Sequence, residues 1–250
     1  MSKLYRTVAV QIFLDDVVGY YEKASNSQLD NKTANAGPGN WTKFARDLYK
    51  AGWYNGNKNG YDWCATSFDW VIWMACGNDS KKAQKALHYN GEELGASCTW
   101  SVRYYKAAGA FRARGAYTPL PGDQIFFGAS DEDVSHTGMV RYVKDGIVHT
   151  MEGNVSNRGQ EKSYSLSNTR IVGYGIPIYD GYESPVEKLP FTDINEKAFY
   201  FDDLKKAYSL GIVKGTTPTT FSPDNTCTRA ETVTMLMRMY DAMLKELGGG

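Results

Sequence analysis

The sequence predicts an α+β fold, and three observations carry that prediction. Up to about residue 108 the apolar residues recur at helical spacing. From Pro121 to Tyr179 they fall into short runs separated by Gly, Asp and Asn, the mark of strands. After a polar stretch at 180–188 the helical spacing returns. Helices first and a meander of strands after them argue α+β rather than alternating βαβ units.

Each element has its own signal. Ala9, Phe13, Val17 and Tyr20 predict a helix running to about Lys23. Residues 25–40 are polar and rich in Gly and Pro, a loop. Asn40 is the expected cap of a helix whose stripe is Trp41, Phe44, Ala45, Leu48 and Tyr49, ended by Gly52. The loop 53–60 (Trp-Tyr-Asn-Gly-Asn-Lys-Asn-Gly) leads into a helix that opens near Cys64, with Ala65, Phe68, Val71, Ile72 and Ala75 on its apolar face. Residues 80–88 and 97–108 read as helices, the second stopped by Gly109. Strands are predicted at 124–127, 137–143, 147–152, 162–166 and 171–179. Residues 1–182 then form the main domain, 183–189 a linker and 190–247 a small all-α module. The module's helices lie at 201–210 and 229–247, and 248–250 is a disordered tail.

Composition narrows the function. The 250 residues are 42% apolar and 22% charged, the balance of a packed globular protein. The formal net charge is zero and neither half is basic, so nucleic acid is not expected as a partner. No apolar run approaches the ~20 residues of a membrane span. The short apolar stretch 9–14 stops at Asp15 and Asp16, a poor signal peptide, so a protein held in the cytoplasm until released is expected. The 18 Tyr and 6 Trp suit a carbohydrate or polymer surface as well as a core. Cysteines 64, 76, 98 and 227 make no disulfide framework and fit no zinc spacing.

Cys64 stands where loop becomes helix. Unpaired N–H groups and partial positive charge there favour a thiolate, so Cys64 is a candidate nucleophile rather than only a small buried hydrophobe. A nucleophile needs a base and a group that orients the base. His136 opens a predicted strand, and Glu152 and Asn154, two apart, end the next one. The hairpin between them decides whether they meet. A two-residue Asp145-Gly146 turn pairs Lys144 with Ile147 and sends His136 to the wrong face. A three-residue loop with Gly146 left-handed pairs Val143 with Ile147, placing His136 opposite Asn154 and Gly138 opposite Glu152. The second is the expected register.

These motifs resemble a family. Tyr61-Asp62-Trp63-Cys64, Pro121-Gly122-Asp123-Gln124-Ile125-Phe126-Phe127, Ser135-His136-Thr137-Gly138 and Glu152-Gly153-Asn154 are similar to the CHAP peptidoglycan hydrolases, relatives of NlpC-type, papain-like cysteine peptidases and amidases. The resemblance implies a papain-like fold over roughly residues 40–179. It implies Cys64 as nucleophile, His136 as base, Glu152 as the group that orients His136, and Asn154 as a polar helper near the oxyanion or the His. It makes the Pro-Gly-Asp strand a core signature. Some relatives bind calcium before the Cys through several Asp. Here Asn55, Asn57 and Asn59 accompany Asp62 alone, and neutral amides bind Ca²⁺ weakly, so no metal and no cofactor are expected. Trp53, Tyr54, Tyr61 and Trp63 fit a substrate groove and core packing equally. Cys76 belongs to the core, and Cys98, which also starts a helix, has no His-bearing strand paired with it by motif.

At the C-terminal end Phe191-Thr192-Asp193-Ile194, Leu210-Gly211-Ile212-Val213-Lys214-Gly215, Phe221-Ser222-Pro223 and Thr228-Arg229-Ala230-Glu231 resemble one S-layer homology (SLH) repeat. Thr228 and Glu231 form a capping box, and Val233, Leu236, Met237 and Tyr240 are the expected core stripe of the helix it opens, covering Leu204, Ala207 and Tyr208. The resemblance implies that Arg229 faces an anionic secondary cell-wall polymer. SLH repeats usually come in threes, so a homo-oligomer formed through this repeat stands beside a monomer whose repeat packs on the main domain.

The reading is a peptidoglycan hydrolase of the phage endolysin or autolysin kind. It cleaves an amide bond through Cys64, His136 and Glu152, as an N-acetylmuramoyl-L-alanine amidase or an endopeptidase. The alternative is a catalytically silent wall-binding protein, which the intact Cys-His-Glu set argues against.

Overall fold

The computed structural model describes residues 3–90, 96–180 and 189–247. The chain forms two compact units, residues 1–178 and 179–250.

In the first unit α1 (Arg6–Ile12) runs into a single π-helical turn at Phe13–Val17. It stops there rather than at Lys23, because Gly19 is left-handed (φ 79°) and Lys23 bridges to Ala36 and Trp41. Helix α2 (Lys43–Lys50) is capped by Thr42, whose Oγ1 accepts the Ala45 N–H at 3.1 Å. The expected cap, Asn40, instead sits at φ 53° in the loop, and Tyr49 leaves the buried stripe. Helices α3 (Cys64–Ala75), α4 (Ser80–Ala86) and α5 (Cys98–Ala107) follow, the last two capped by Asp79 and Ser97.

The strands are β1 (Phe111–Ala113), β2 (Gln124–Ser130), β3 (Asp133–Lys144), β4 (Ile147–Val155), β5 (Arg158–Ser165) and β6 (Ile171–Gly175). They form one six-stranded antiparallel sheet in the order β1-β6-β2-β3-β4-β5. The meander β2 to β5 is as expected. The return of β6 to pair with β2, and the three-residue edge strand β1, are not visible in local pattern.

Helix α3 is the centre of this unit. It packs against α1, α2 and α4 and against β3 and β4, and every residue but Trp73 and Met74 is buried. An α-helix apolar on all sides is stable only in such a position. Asp123, in the Pro-Gly-Asp signature, is buried and structural. It accepts from Arg6 (2.6 Å), the Leu120 N–H (2.8 Å) and the Tyr117 hydroxyl (2.8 Å), tying α1 to the start of β2.

The β3–β4 hairpin corrects the expected register and then restores it. Lys144 pairs with Ile147 across Asp145 (φ 51°) and Gly146 (φ 73°), a two-residue type I′ turn. The three-residue loop is not formed, because Asp145 accepts the left-handed conformation that the shorter turn needs. Continued unchanged, this pairing would send His136 to the wrong face. A β-bulge at Arg141, between Val140 and Tyr142, shifts the register by one, so that Met139 pairs with Met151. Gly138 thereby comes beside Glu152. The strand does not run on regularly to Asn154, whose φ is 59° where the β4–β5 ladder breaks, so Asn154 does not share the face of Glu152.

In the second unit α6 (Phe201–Ser209) and α7 (Arg229–Leu247) are the helices. Leu189, Phe191 and Leu204 form its core, with Ile194, Tyr200, Phe201, Tyr208, Val213 and Phe221 around them. Leu189 is therefore core rather than linker; residues 183–188 of the expected linker and the tail 248–250 lie outside the described residues. The capping box is present: Glu231 Oε2 accepts the Thr228 N–H at 2.8 Å and Thr228 Oγ1 accepts the Glu231 N–H at 3.2 Å. Asp193 accepts the N–H groups of Phe221 (2.8 Å) and Ser222 (2.7 Å), so the Phe-Thr-Asp-Ile motif closes the loop.

The expected stripe of α7 is not core. Val233, Leu236, Met237 and Tyr240 are 52 to 59% exposed. Phe191, Val213 and Phe221 already fill the space around α6, and α7 turns Met235 and Arg238 inward instead, Arg238 reaching the Ile212 carbonyl.

Candidate active site

Cys64 is the first residue of α3. The loop ahead of it is held by polar and aromatic contacts. Asn59 Oδ1 accepts the Thr42 N–H at 2.8 Å, and Gly60 (φ 88°) donates to the Asn40 carbonyl at 3.1 Å. Trp63 lies between Tyr20 and Phe44 and donates its indole N–H to Glu22 Oε2 at 2.9 Å. Trp63 is thus an anchor buried beneath the loop and not a groove wall. Trp53, also fully buried, stacks edge-on against Tyr54 and Tyr89. Both indoles are buried for one reason: each is enclosed by neighbouring aromatic rings, where its area is worth most. Tyr61 alone of the three expected substrate contacts is open, at 64% exposure.

The sheet supplies the other groups. His136, on β3, lies against Phe127, and its Nε2 is 3.0 Å from Glu152 Oε2 on β4. Glu152 is 1% exposed and also accepts from the hydroxyls of Thr150 and Tyr164, the latter at 3.2 Å. With Nε2 on the carboxylate, Nδ1 is the remaining ring nitrogen, and Cys64 is near enough to raise the imidazole's proton affinity. Gly153 lets β4 approach α3: a Cβ there would fall 2.2 Å from Ser67 Oγ and 2.9 Å from Trp63 Cζ3. Asn154 joins neither Cys64 nor His136 in this network. Its amide donates to Asp62 Oδ1 at 2.9 Å and ties the end of β4 to the loop before Cys64.

Two further groups lie at the site, where the sequence did not place them. Cys98, first residue of α5, places its Sγ 3.6 Å from Cys64 Sγ. Its signal was present, a Ser-capped helix opening on Cys, but nothing local says that two helix starts meet. The pair Tyr54 and Asp69 lies below, the tyrosine hydroxyl donating to Asp69 Oδ2 at 2.7 Å.

The electrostatics separate charge between Cys64 and His136. Hydrogen bonds from Cys98 and then His136, with the Ala65 N–H, hold the Cys64 thiol well below its ordinary range against the opposing effect of burial. Burial pulls His136 down, yet its bonds to Cys64 and Glu152 prevail and lift it to about 9. Both shifts favour a thiolate on Cys64 beside a protonated His136. Such a pair can attack an electrophilic carbonyl and protonate the group that leaves.

Residues 56–154 match the CHAP domain and residues 190–233 match the S-layer homology domain, so the chain carries a CHAP domain followed by an SLH domain. Among individual proteins, an endoglucanase of Bacillus sp. (strain KSM-635) is 33% identical over 81 residues, 32% of this chain and 9% of that protein. The solved structure of Ly7917 aligns with 69% of this chain and 62% of its own, at 14% identity and a TM-score of 0.40. Ly7917 with the hydrolyzing product of MDP aligns with 54% and 60%, at 17% identity and a TM-score of 0.35. The chain spans less than two thirds of each of these relatives.

Proposed function

We propose that the protein hydrolyses an amide bond of bacterial peptidoglycan, with Cys64 as nucleophile, His136 as base and acid, and Glu152 as the group that orients His136. The observation that carries this reading is the convergence of Cys64, His136 and Glu152 at the start of α3 within a CHAP domain. The Cys64 thiolate attacks the carbonyl carbon, and His136 passes its proton to the amine as the C–N bond breaks, leaving a thioester on Cys64. Water then gives a proton to His136 and attacks the thioester, which releases the acid and the thiolate. Tyr61 is the exposed aromatic residue placed to meet substrate ahead of Cys64. Asn154 positions that loop through Asp62.

The SLH domain anchors the enzyme to an anionic secondary wall polymer, with the exposed Arg229 as the contact. The exposed α7 stripe supports the homo-oligomer: Val233, Leu236, Met237 and Tyr240 bury against other copies of the repeat. Light scattering checks this. The intact chain should be larger than a monomer and a chain ending at Glu187 should not be; a monomeric intact chain across a wide concentration range removes the oligomer.

Turbidity of a Gram-positive cell suspension tests the enzyme reading. Wild type should clear it, and Cys64→Ser, nearly isosteric but a poor nucleophile, should not while keeping its melting temperature. Lysis by Cys64→Ser sinks the assignment; binding to walls without lysis by wild type leaves a silent wall-binding protein. Mass spectrometry of digested wall separates cleavage after muramic acid from cleavage within the peptide.

A further inference from the structure

A second thiol lies beside the sulfur that would react. Cys98 Sγ lies 3.6 Å from Cys64 Sγ, within reach of an S–H···S hydrogen bond, and both thiols are buried. We propose that Cys98 is a further catalytic residue, a thiol that donates its S–H to the Cys64 thiolate and holds the nucleophile ionised and aimed. The proposal rests on Cys64 being the nucleophile, as above.

The surroundings decide which sulfur keeps the charge. Both cysteines are first residues of helices, so the helix N-termini do not distinguish them. His136 and the Ala65 N–H favour charge on Cys64. Cys98 feels instead the Cys64 sulfur and the Asp69 carboxyl, which with burial hold its thiol well above the ordinary range. Cys98 therefore stays protonated while Cys64 ionises, and the donor runs from Cys98 to Cys64. A donor to a thiolate is charge-assisted and more effective in a buried site than in water.

Such a donor has a signature that packing alone does not have. It increases the thiolate fraction at low pH, but a thiolate of lower pKa is intrinsically the weaker nucleophile. Removing it should slow reaction on the acid side and leave the high-pH plateau equal or faster. A purely structural defect lowers the rate at every pH.

The test is the rate at which iodoacetamide alkylates Cys64 in the full-length protein against pH, the site read by peptide mass spectrometry. Cys98→Ala should move the acid limb up by about one pH unit, ~10-fold slower there, with no loss at the plateau. Cys98→Ser keeps a donor and should fall between Cys98→Ala and wild type. If Cys98→Ala folds poorly, the ultraviolet absorbance of thiolates in wild type reads the same quantity: one thiolate of the pair well below the ordinary range and the other well above it. Two thiols ionising together, superimposed acid limbs, or a uniform drop at all pH overturn the proposal. Superimposed limbs with Cys64→Ser inactive remove Cys98 alone, whereas lysis by Cys64→Ser removes the hydrolase reading itself.

Discussion

Glu152 occupies the space that a side chain at Gly138 would need: a Cβ on Gly138 would lie 2.5 Å from Glu152 Cγ and 2.8 Å from the Met151 carbonyl oxygen. Neither neighbour can give way cheaply, since one is backbone and the other is buried and hydrogen-bonded on both oxygens. Gly138→Ala is therefore expected to cost about 1–3 kcal/mol of stability. It should also lower lytic kcat at least ~10-fold, because Glu152 is pushed off His136. Thermal melts and turbidity rates check both; unchanged activity would show that the carboxylate is not needed where it stands.

The charge-separated pair predicts a bell-shaped pH profile. His136, lifted to about 9, must carry its proton to release the amine, so the rate should fall as pH rises through about 9. On the acid side it should fall as pH drops through the depressed range of Cys64. Cys64→Ala removes the largest of the causes that raise His136, and NMR of its imidazole should show the midpoint drop below 9. The sign for stability follows. A folded-state pKa above the ordinary 6.5 stabilises fully below that value, and the benefit is lost as pH rises through about 9.

The bulge at Arg141 carries the register into the site, so the register matters and the Arg141 side chain does not. The side chain pairs at the surface with Glu161 at 2.6 Å, an exposed contact worth little. Arg141→Ala should keep near-normal lysis. Deleting Arg141 would join Val140 to Tyr142 and leave Val140–Thr150 and Met139–Met151 paired as before, so lysis should persist. Inserting one Ala between Arg141 and Tyr142 adds a residue that the bulge does not absorb, should turn His136 to the other face and should abolish lysis. Circular dichroism of the insertion checks that the sheet survives, and full activity in the insertion would refute the dependence of the site on this register.

Asp69 is buried behind Cys64, and burial lifts it from 3.8 to about 7. Its contribution to stability is full below its unfolded value and declines as pH rises through about 7. Asp69→Asn keeps an acceptor for Tyr54 and removes the charge. It should raise stability by about 1–3 kcal/mol at pH ~8 and by little at pH ~4, read from denaturant unfolding.

The helices α2 to α5 and the meander β2 to β5 were legible because their signals are local, whereas β1 and the early end of α1 were not. Apolar spacing around Phe68, Val71 and Ile72 and Gly109 after α5 act within one turn of chain. Cys64, His136 and Glu152 were legible as candidates through motif resemblance, but the pairing that brings His136 beside Glu152 depends on a bulge that the period of two along a strand does not reveal. The hairpin was misjudged because Asp145 tolerates a left-handed backbone nearly as Gly does, so two turns compete at one sequence.

What the sequence by itself determined is thus the order of domains, the helix that opens on Cys64 and the chemical identity of the groups that meet there. Tertiary structure decided the rest. It buried Trp53 and Trp63, which composition left open between groove and core, because an indole gains most where neighbouring rings close around it. It restored the register through a bulge, since a strand buried on one face cannot leave its apolar side chains in water. It left the α7 stripe uncovered, because one repeat has core enough for only one apolar layer. And it brought Cys98 to Cys64 across 34 residues of chain, a meeting that depends on how α3 and α5 pack and that no local pattern encodes.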